Sequence, residues 1–453
     1  MKLEEKLVSY IAEARYEDMP DDVVDLAKTF CLNILGNIVG GSTTEMCEEL
    51  VGETTAWGGR KDATILLYGD KVPAHNAAFV NSYFSRALES DDGIRPGVHI
   101  GSSIVPTALA ASELAGGCSG KEFLTALIAG AEVTGRINSV SVYNGLCPTG
   151  SCGIFATSIA AAKILGLDVE QIWHAMGISF CRSGGSPQSN RDGALSVRMN
   201  QGFISQEGLM AAQLAKKGFT GAINFLEGEL GFFPLFANNN YDPEVVGGDL
   251  GKRFEFHKTM FRKYPCCASN ISSTEAALSL VTEHNDITPD NIDRVKVIMT
   301  PHSAHIVDSP LVMGKYPRVN AQFNVRYCVA NALLRKSSRL DLFEEAAVRD
   351  PEIMKLVDSI DIVPDPALDL RDETAVDMEI ITRQGKTYKK SIDFAGGFPE
   401  NPLTADEHME RALSYFHYVK KPLGENNIER IISAVKNIED LADIRDLIPL
   451  LLW

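Results

Sequence analysis

The densest run of groups able to move protons is Glu89-Ser90-Asp91-Asp92-Gly93-Ile94-Arg95-Pro96-Gly97-Val98-His99. Carboxylates and imidazole are the common general acids and bases near neutral pH, and an arginine beside them can hold an anion. Two glycines and a proline break the run, so it is expected as a loop between helices, where function often resides. The same residues also read as a solvated turn with a helix cap. No histidine or glutamate at i,i+4 supports a metal there.

A second candidate is Tyr143-Asn144-Gly145-Leu146-Cys147-Pro148-Thr149-Gly150-Ser151-Cys152-Gly153, which runs into an alanine-rich helix. The free N–H groups of a helix N-terminus bind anions, although capping and close glycine packing explain the run equally well. Ser183-Gly184-Gly185-Ser186-Pro187-Gln188-Ser189-Asn190-Arg191 reads as a connector, and neither stretch has the P-loop pattern. Vicinal Cys266-Cys267 read as packed thiols, and His302 with His305, lacking partner carboxylates, as a loop feature.

The elements that must position these groups differ along the chain. The first 235 residues read as successive helices rich in small residues. One opens at Pro20-Asp21-Asp22, and another opens with Ser119 and Glu122 at capping-box spacing. Beyond about residue 265, Ile292 to Met299 carries part of a period-two alternation, and 376–382 with 388–392 reads as a hairpin. Helical patterns at 272–284 and 321–334 lie between them, and Thr404 with Glu407 returns the chain to helix. The expected fold is mainly α: a large all-helical domain from 1–265 and 404–453, with a smaller α+β domain, 266–403, inserted between.

Composition limits the partners. Of 453 residues, 45% are hydrophobic and 23% charged, which is a folded globular chain. With 43 basic against 60 acidic residues the net charge is −17, which argues against nucleic acid or an anionic membrane surface. The apolar stretches 102–117 and 137–162 are interrupted by proline and polar residues and make poor membrane spans. With no signal peptide visible, a cytoplasmic location is expected. Nine scattered cysteines without Cys-x-x-Cys spacing encode no disulfide framework or zinc ribbon.

Seven segments in a fixed order resemble the MmgE/PrpD family, which includes 2-methylcitrate dehydratase, cis-aconitate decarboxylase and iminodisuccinate epimerase. They are Asp18-Met19-Pro20 through Leu35-Gly36; Asp91-Asp92 to His99 with Pro106; Gly150 through Leu167; Gly218-Phe219-Thr220-Gly221; Tyr264-Pro265-Cys266-Cys267; Ala321-Gln322-Phe323 to Tyr327; and Gly397-Phe398-Pro399-Glu400-Asn401-Pro402-Leu403-Thr404. The resemblance implies a helical domain with an inserted α+β domain, a homodimer, a site between the domains, and no obligatory cofactor. It also implies a small anionic di- or tricarboxylate substrate deprotonated next to a carboxylate, most simply by a dehydratase-type lyase. An isomerase or epimerase using two bases, and a silent ligand-binding homologue, are the alternatives.

Carried over by position, Asp91, Asp92, His99 and Tyr327 match the family's acidic loop, its histidine and its later tyrosine. Asp91 and His99 are then the expected proton-transfer groups, with Tyr327 as hydrogen-bond donor or acid. Asp92, Arg95 and Lys263 are expected around the substrate.

The chain departs from the family at Glu89, where an aspartate is common, and at Gly93, where a threonine is. Cys147 replaces a histidine before Pro-Thr-Gly. Val197-Arg198-Met199-Asn200-Gln201-Gly202 replaces Lys-x-x-His-x-Gly, so both the lysine and the histidine are missing. Arg198 is then a candidate carboxylate clamp and Cys147 a candidate second base.

Overall fold

The computed structural model describes residues 2–453. Helices make up 57% of the chain and strands 9%, so the fold is mainly α. The helix Asp21–Gly41 starts where Pro20 sets the backbone and Asp21 and Asp22 face the positive end of the helix dipole. It is the one helix among the described residues long and apolar enough to cross a membrane, and most of that stretch is packed inside the protein. Around it lie Ala74–Arg86, Gly101–Ala115, Gly120–Ser139, Pro148–Ile164 and Ser196–Lys216. Small residues let these helices touch backbone to backbone: a Cβ on Gly130 would stand 2.7 Å from the Ala156 carbonyl oxygen. Both expected capping boxes form, Ser119 with Glu122 and Thr404 with Glu407, each satisfying N–H groups at a helix start.

The β structure is concentrated in one four-stranded sheet. Its order is Ile360–Pro364, Ile292–Met299, Val376–Thr382, Thr387–Ile392, parallel in the first pair and antiparallel in the others. Alternate residues of Val376–Thr382 are buried, as period-two patterning requires of a half-covered strand. The helix Ala268–Glu283 packs on this sheet, and Val325–Arg335 packs on that helix.

Two large apolar clusters result. One joins residues 3–261 to 403–451, the other Val197 to residues 260–398. The chain end returns to the first cluster, where a Cβ on Gly36 would stand 3.3 Å from the Tyr415 ring. Residues 89–99 and 259–263 run where one cluster gives way to the other.

Candidate active site

A short antiparallel ribbon assembles the site. Asp92–Ile94 pairs with Thr259–Phe261, placing Asp92 opposite Phe261. Just beyond, the Arg262 N–H donates to the Asp91 carbonyl at 3.2 Å, so Arg262 enters beside the acidic run. Its Nη1 lies 2.5 Å from Glu89 Oε2 and 2.8 Å from Asp91 Oδ1. Arg86 Nη1 approaches the same two oxygens at 2.8 and 3.0 Å, and the Ser102 hydroxyl donates to Asp91 Oδ2 at 2.9 Å. Two guanidiniums thus face two carboxylates, all buried. Each charge would be costly alone, and their mutual pairing offsets the lost hydration. Burial pushes the Asp91 carboxyl up, but Arg86 and Arg262 outweigh it and hold it below the ordinary range. The turn into the cluster passes through Glu89 at φ 51°, a left-handed conformation unusual for a side chain of this size.

His99 sits against this balanced cluster. Its Nδ1 lies 2.6 Å from the Asp92 carbonyl oxygen, which can only accept, so Nδ1 carries the proton and Nε2 the lone pair. Arg262 Nη2 is 3.1 Å from Nε2 and 3.3 Å from Nδ1, so the guanidinium lies against the ring face, not on one nitrogen. Burial, then Arg262 and Arg86, push the imidazole down to about 3, so His99 is neutral over the working pH range. Its backbone is fixed as well: the N–H donates to Thr149 Oγ1 at 3.0 Å, and Gln201 Nε2 donates to its carbonyl at 3.1 Å. A Cβ on Gly93 would be 3.1 Å from Nδ1, so the missing threonine methyl and hydroxyl leave the ring room to sit close. Three buried atoms around it have no partner: Glu89 Oε1, Arg262 Nε and Gln201 Oε1. Such groups are costly unless a ligand satisfies them.

Asp92 serves this arrangement indirectly. Its carboxylate takes the N–H groups of Gly101 at 2.9 Å and Ile100 at 3.3 Å, capping the helix Gly101–Ala115. Burial and the adjacent Asp91 push its carboxyl up.

Cys147 precedes the helix Pro148–Ile164 and shares its first turn with Thr149, the partner of His99. Asn200 Nδ2 donates to Cys147 Sγ at 3.2 Å. These are the two positions at which the resemblance implies histidines, and both departures fall on one contact. The Gly184-Gly185 turn packs on this helix start: the Cys147 N–H meets the Gly185 carbonyl at 3.0 Å, and the Gly184 N–H donates to the Gly150 carbonyl at 3.2 Å.

The remaining expected residues are held elsewhere. Tyr327 is fully buried in the second apolar cluster, its hydroxyl donating to the Leu342 carbonyl and its ring meeting Phe343 edge-on at 5.5 Å. Burial pushes its hydroxyl well above the ordinary range. The donor or acid expected of Tyr327 therefore does not fit its placement, because its proton is committed to a backbone oxygen. Arg198 is buried, with Nη2 2.9 Å from Glu45 Oε2 and its guanidinium over Tyr83. Arg95 grips Asp372 at 2.7 and 3.0 Å, and Lys263 Nζ is 3.5 Å from Glu407. Each of these three cations, Arg198, expected as a clamp, and Arg95 and Lys263, expected around the substrate, pairs with a protein carboxylate.

The sequence offered no role for Arg86 or Arg262. The signal for Arg262 was the Thr259–Phe261 strand, whose partner could not be read before the ribbon was seen. Gln201 lay inside the substituted segment but drew no role.

Comparison with known proteins supplies the context. The model of the MmgE/PrpD N-terminal domain matches residues 5–244, and that of the MmgE/PrpD C-terminal domain matches 264–437. A cis-aconitate decarboxylase of Homo sapiens is 25% identical over 449 residues, 96% of this chain and 91% of its own length. A cis-aconitate decarboxylase of Aspergillus terreus is 26% identical over 463 residues, covering 96% and 93%. A cis-aconitate decarboxylase-like protein of Aspergillus oryzae is 26% identical over 471 residues, covering 98% and 96%. With both family domains matched in order along most of its length, the chain belongs to the MmgE/PrpD family.

Proposed function

We propose that this protein is a cofactor-independent lyase acting on a small di- or tricarboxylate, with His99 moving a proton at the carbon next to a carboxylate. The observation that carries the reading is the neutral His99, its Nδ1 proton fixed on the Asp92 carbonyl so that Nε2 keeps the lone pair, with the Arg262 guanidinium against the ring. Family membership and the decarboxylase relatives support lyase-type chemistry on a small carboxylate. Dehydration, the simplest expectation from sequence, and decarboxylation share the proton transfer and differ in what leaves. The relatives' names favour carbon dioxide. The two apolar clusters are read as the two domains, with the substrate between them, in a cytoplasmic homodimer; sedimentation and fractionation test the last two points.

The electrostatics suggest how the base is switched on. Burial, and then Arg262 and Arg86, hold the imidazole neutral but also make it a weak base. A substrate carboxylate against Arg262 would cancel part of that field and raise the basicity of Nε2 as the substrate arrives. The same guanidinium would then stabilise the enolate-like charge that forms when the proton leaves. Arg86, Glu89 and Asp91 hold Arg262 in place.

An isomerase is favoured by one observation, the Cys147 thiol on the turn shared with Thr149, with Asn200 donating to its sulfur. Product analysis decides between the readings. A lyase changes the molecular formula, whereas an isomerase exchanges the α-proton with solvent deuterium and keeps the skeleton. If Cys147→Ser leaves turnover unchanged, the two-base reading is lost.

A further inference from the structure

Another ion cluster, its two arginines buried and its carboxylate, Glu45, 25% exposed, differs from the one at His99 in its count of charges. Arg198 Nη2 and Arg318 Nε each lie 2.9 Å from the carboxylate of Glu45, one on each oxygen. Both arginines are at least nine-tenths buried. The other polar groups there are neutral: Thr44 Oγ1, 3.3 Å from Arg198 Nη1, and the rings of Tyr83 and Tyr418 under the two guanidiniums. The exposed Glu344 accepts from the Tyr418 hydroxyl and stands behind that ring. Two cations therefore share one carboxylate, leaving one buried positive charge in surplus. Such a charge is expensive unless an anion completes it.

Unused donors mark where that anion would go. Arg318 Nη1 is buried without a partner, and so is Gln322 Nε2. The two residues are four apart on the helix Pro317–Gln322, a spacing that puts side chains on one face. The cluster also joins the site on both sides. Arg198 is one turn before Gln201, which holds the His99 carbonyl, and the Gln322 carbonyl accepts the N–H of Cys267 at 2.9 Å. Cys267 in turn lies within electrostatic reach of Arg262.

We infer that Arg318 and Gln322 form a carboxylate subsite that anchors one carboxylate of the substrate while His99 acts on the carbon beside another. The inference rests on the lyase reading for the identity of the ligand, but its binding test stands apart from turnover. A guanidinium and an amide N–H offer a planar pair of donors suited to a carboxylate. Glu45 sets the strength of the subsite by neutralising one of its two cations.

The test is calorimetric titration of the full-length protein with cis-aconitate and with maleate, using wild type, Arg318→Gln, Gln322→Leu and Glu45→Gln, each checked for folding by circular dichroism. Arg318→Gln should weaken binding about tenfold or more, and Gln322→Leu about threefold. Glu45→Gln, which frees the surplus charge, should tighten binding. A merely structural role would make Glu45→Gln and Arg318→Gln weaken binding together, and that result overturns the subsite. Unchanged affinity in both Arg318→Gln and Gln322→Leu overturns it too, as does a wild type that binds neither probe. Should Arg318→Gln fail to fold, Gln322→Leu and Glu45→Gln carry the test. Binding that depends on Gln322 and Glu45 without turnover would sink the lyase reading and leave the subsite standing.

Discussion

Two of the protein's ion clusters have similar make-up and opposite economy. Around His99, two arginines meet two carboxylates; around Glu45, two arginines meet one. The balanced cluster is complete within the protein and serves to hold Arg262 and His99 in a fixed relation. The unbalanced cluster is incomplete until an anion arrives. Where buried charge cancels, the protein has built a scaffold, and where it does not, the protein has left room for a ligand.

The largest expected effect is on catalysis. His99→Gln keeps a polar side chain of similar reach but loses the imidazole, and should lower kcat/KM by about 10²–10⁴-fold while the unfolding midpoint stays close to wild type. Turnover at the wild-type rate would remove His99 from the mechanism. Next comes stability. Arg262→Met strips one cation from the balanced cluster and should cost about 3–5 kcal/mol in urea unfolding, because Glu89 and Asp91 are left sharing Arg86. Arg318→Met, which leaves Glu45 with Arg198, should cost roughly half as much. Equal losses would erase the distinction between the clusters.

The pH dependence gives a smaller, directional check. The imidazole of His99 is pushed down to about 3 in the folded protein against 6.5 when free. Below pH 6.5 the unfolded chain takes up a proton that the folded one refuses, so stability falls as pH drops from 6.5 toward 3. One such proton contributes about 1.4 kcal/mol per pH unit, and His99→Gln should flatten the curve by that amount. Above pH 6.5 the two proteins should run parallel. If the slopes agree below pH 6, His99 is not held neutral by its surroundings. For activity, the acid limb of kcat should lie at higher pH than that of kcat/KM, since bound substrate relieves the field of Arg262.

The smallest effect separates motif from geometry. Tyr327→Phe removes one hydroxyl bonded to the Leu342 carbonyl and should cost about 1 kcal/mol of stability, with kcat changed less than about twofold. A hundredfold loss of kcat would restore the tyrosine to the chemistry.

Much of the fold was legible because local rules decide it. Pro20 with Asp21 and Asp22, the two capping boxes and the 376–392 hairpin follow from residues a few positions apart, and the structure has each. The acidic run was legible as a concentration of chemistry, but its setting was not. It was expected as a loop, and it holds a buried strand whose partner, Thr259–Phe261, is far away in sequence. That pairing alone brings Arg262 to Asp91. For the same reason the cations were misjudged. A sequence shows that Arg95, Arg198 and Lys263 are basic, but only the fold shows that Asp372, Glu45 and Glu407 already hold them. The contact between Cys147 and Asn200 was equally hidden, although each substitution was visible separately.

Whether His99 drives a lyase reaction is decided by proton NMR in deuterium oxide of the wild-type protein and His99→Gln with cis-aconitate, 2-methylcitrate, citrate and malate. Wild type should convert at least one of these to a product lacking water or carbon dioxide, and His99→Gln should slow the conversion at least a hundredfold. Deuterium exchange with the skeleton intact, conversion undiminished in His99→Gln, or no reaction across the panel would contradict it.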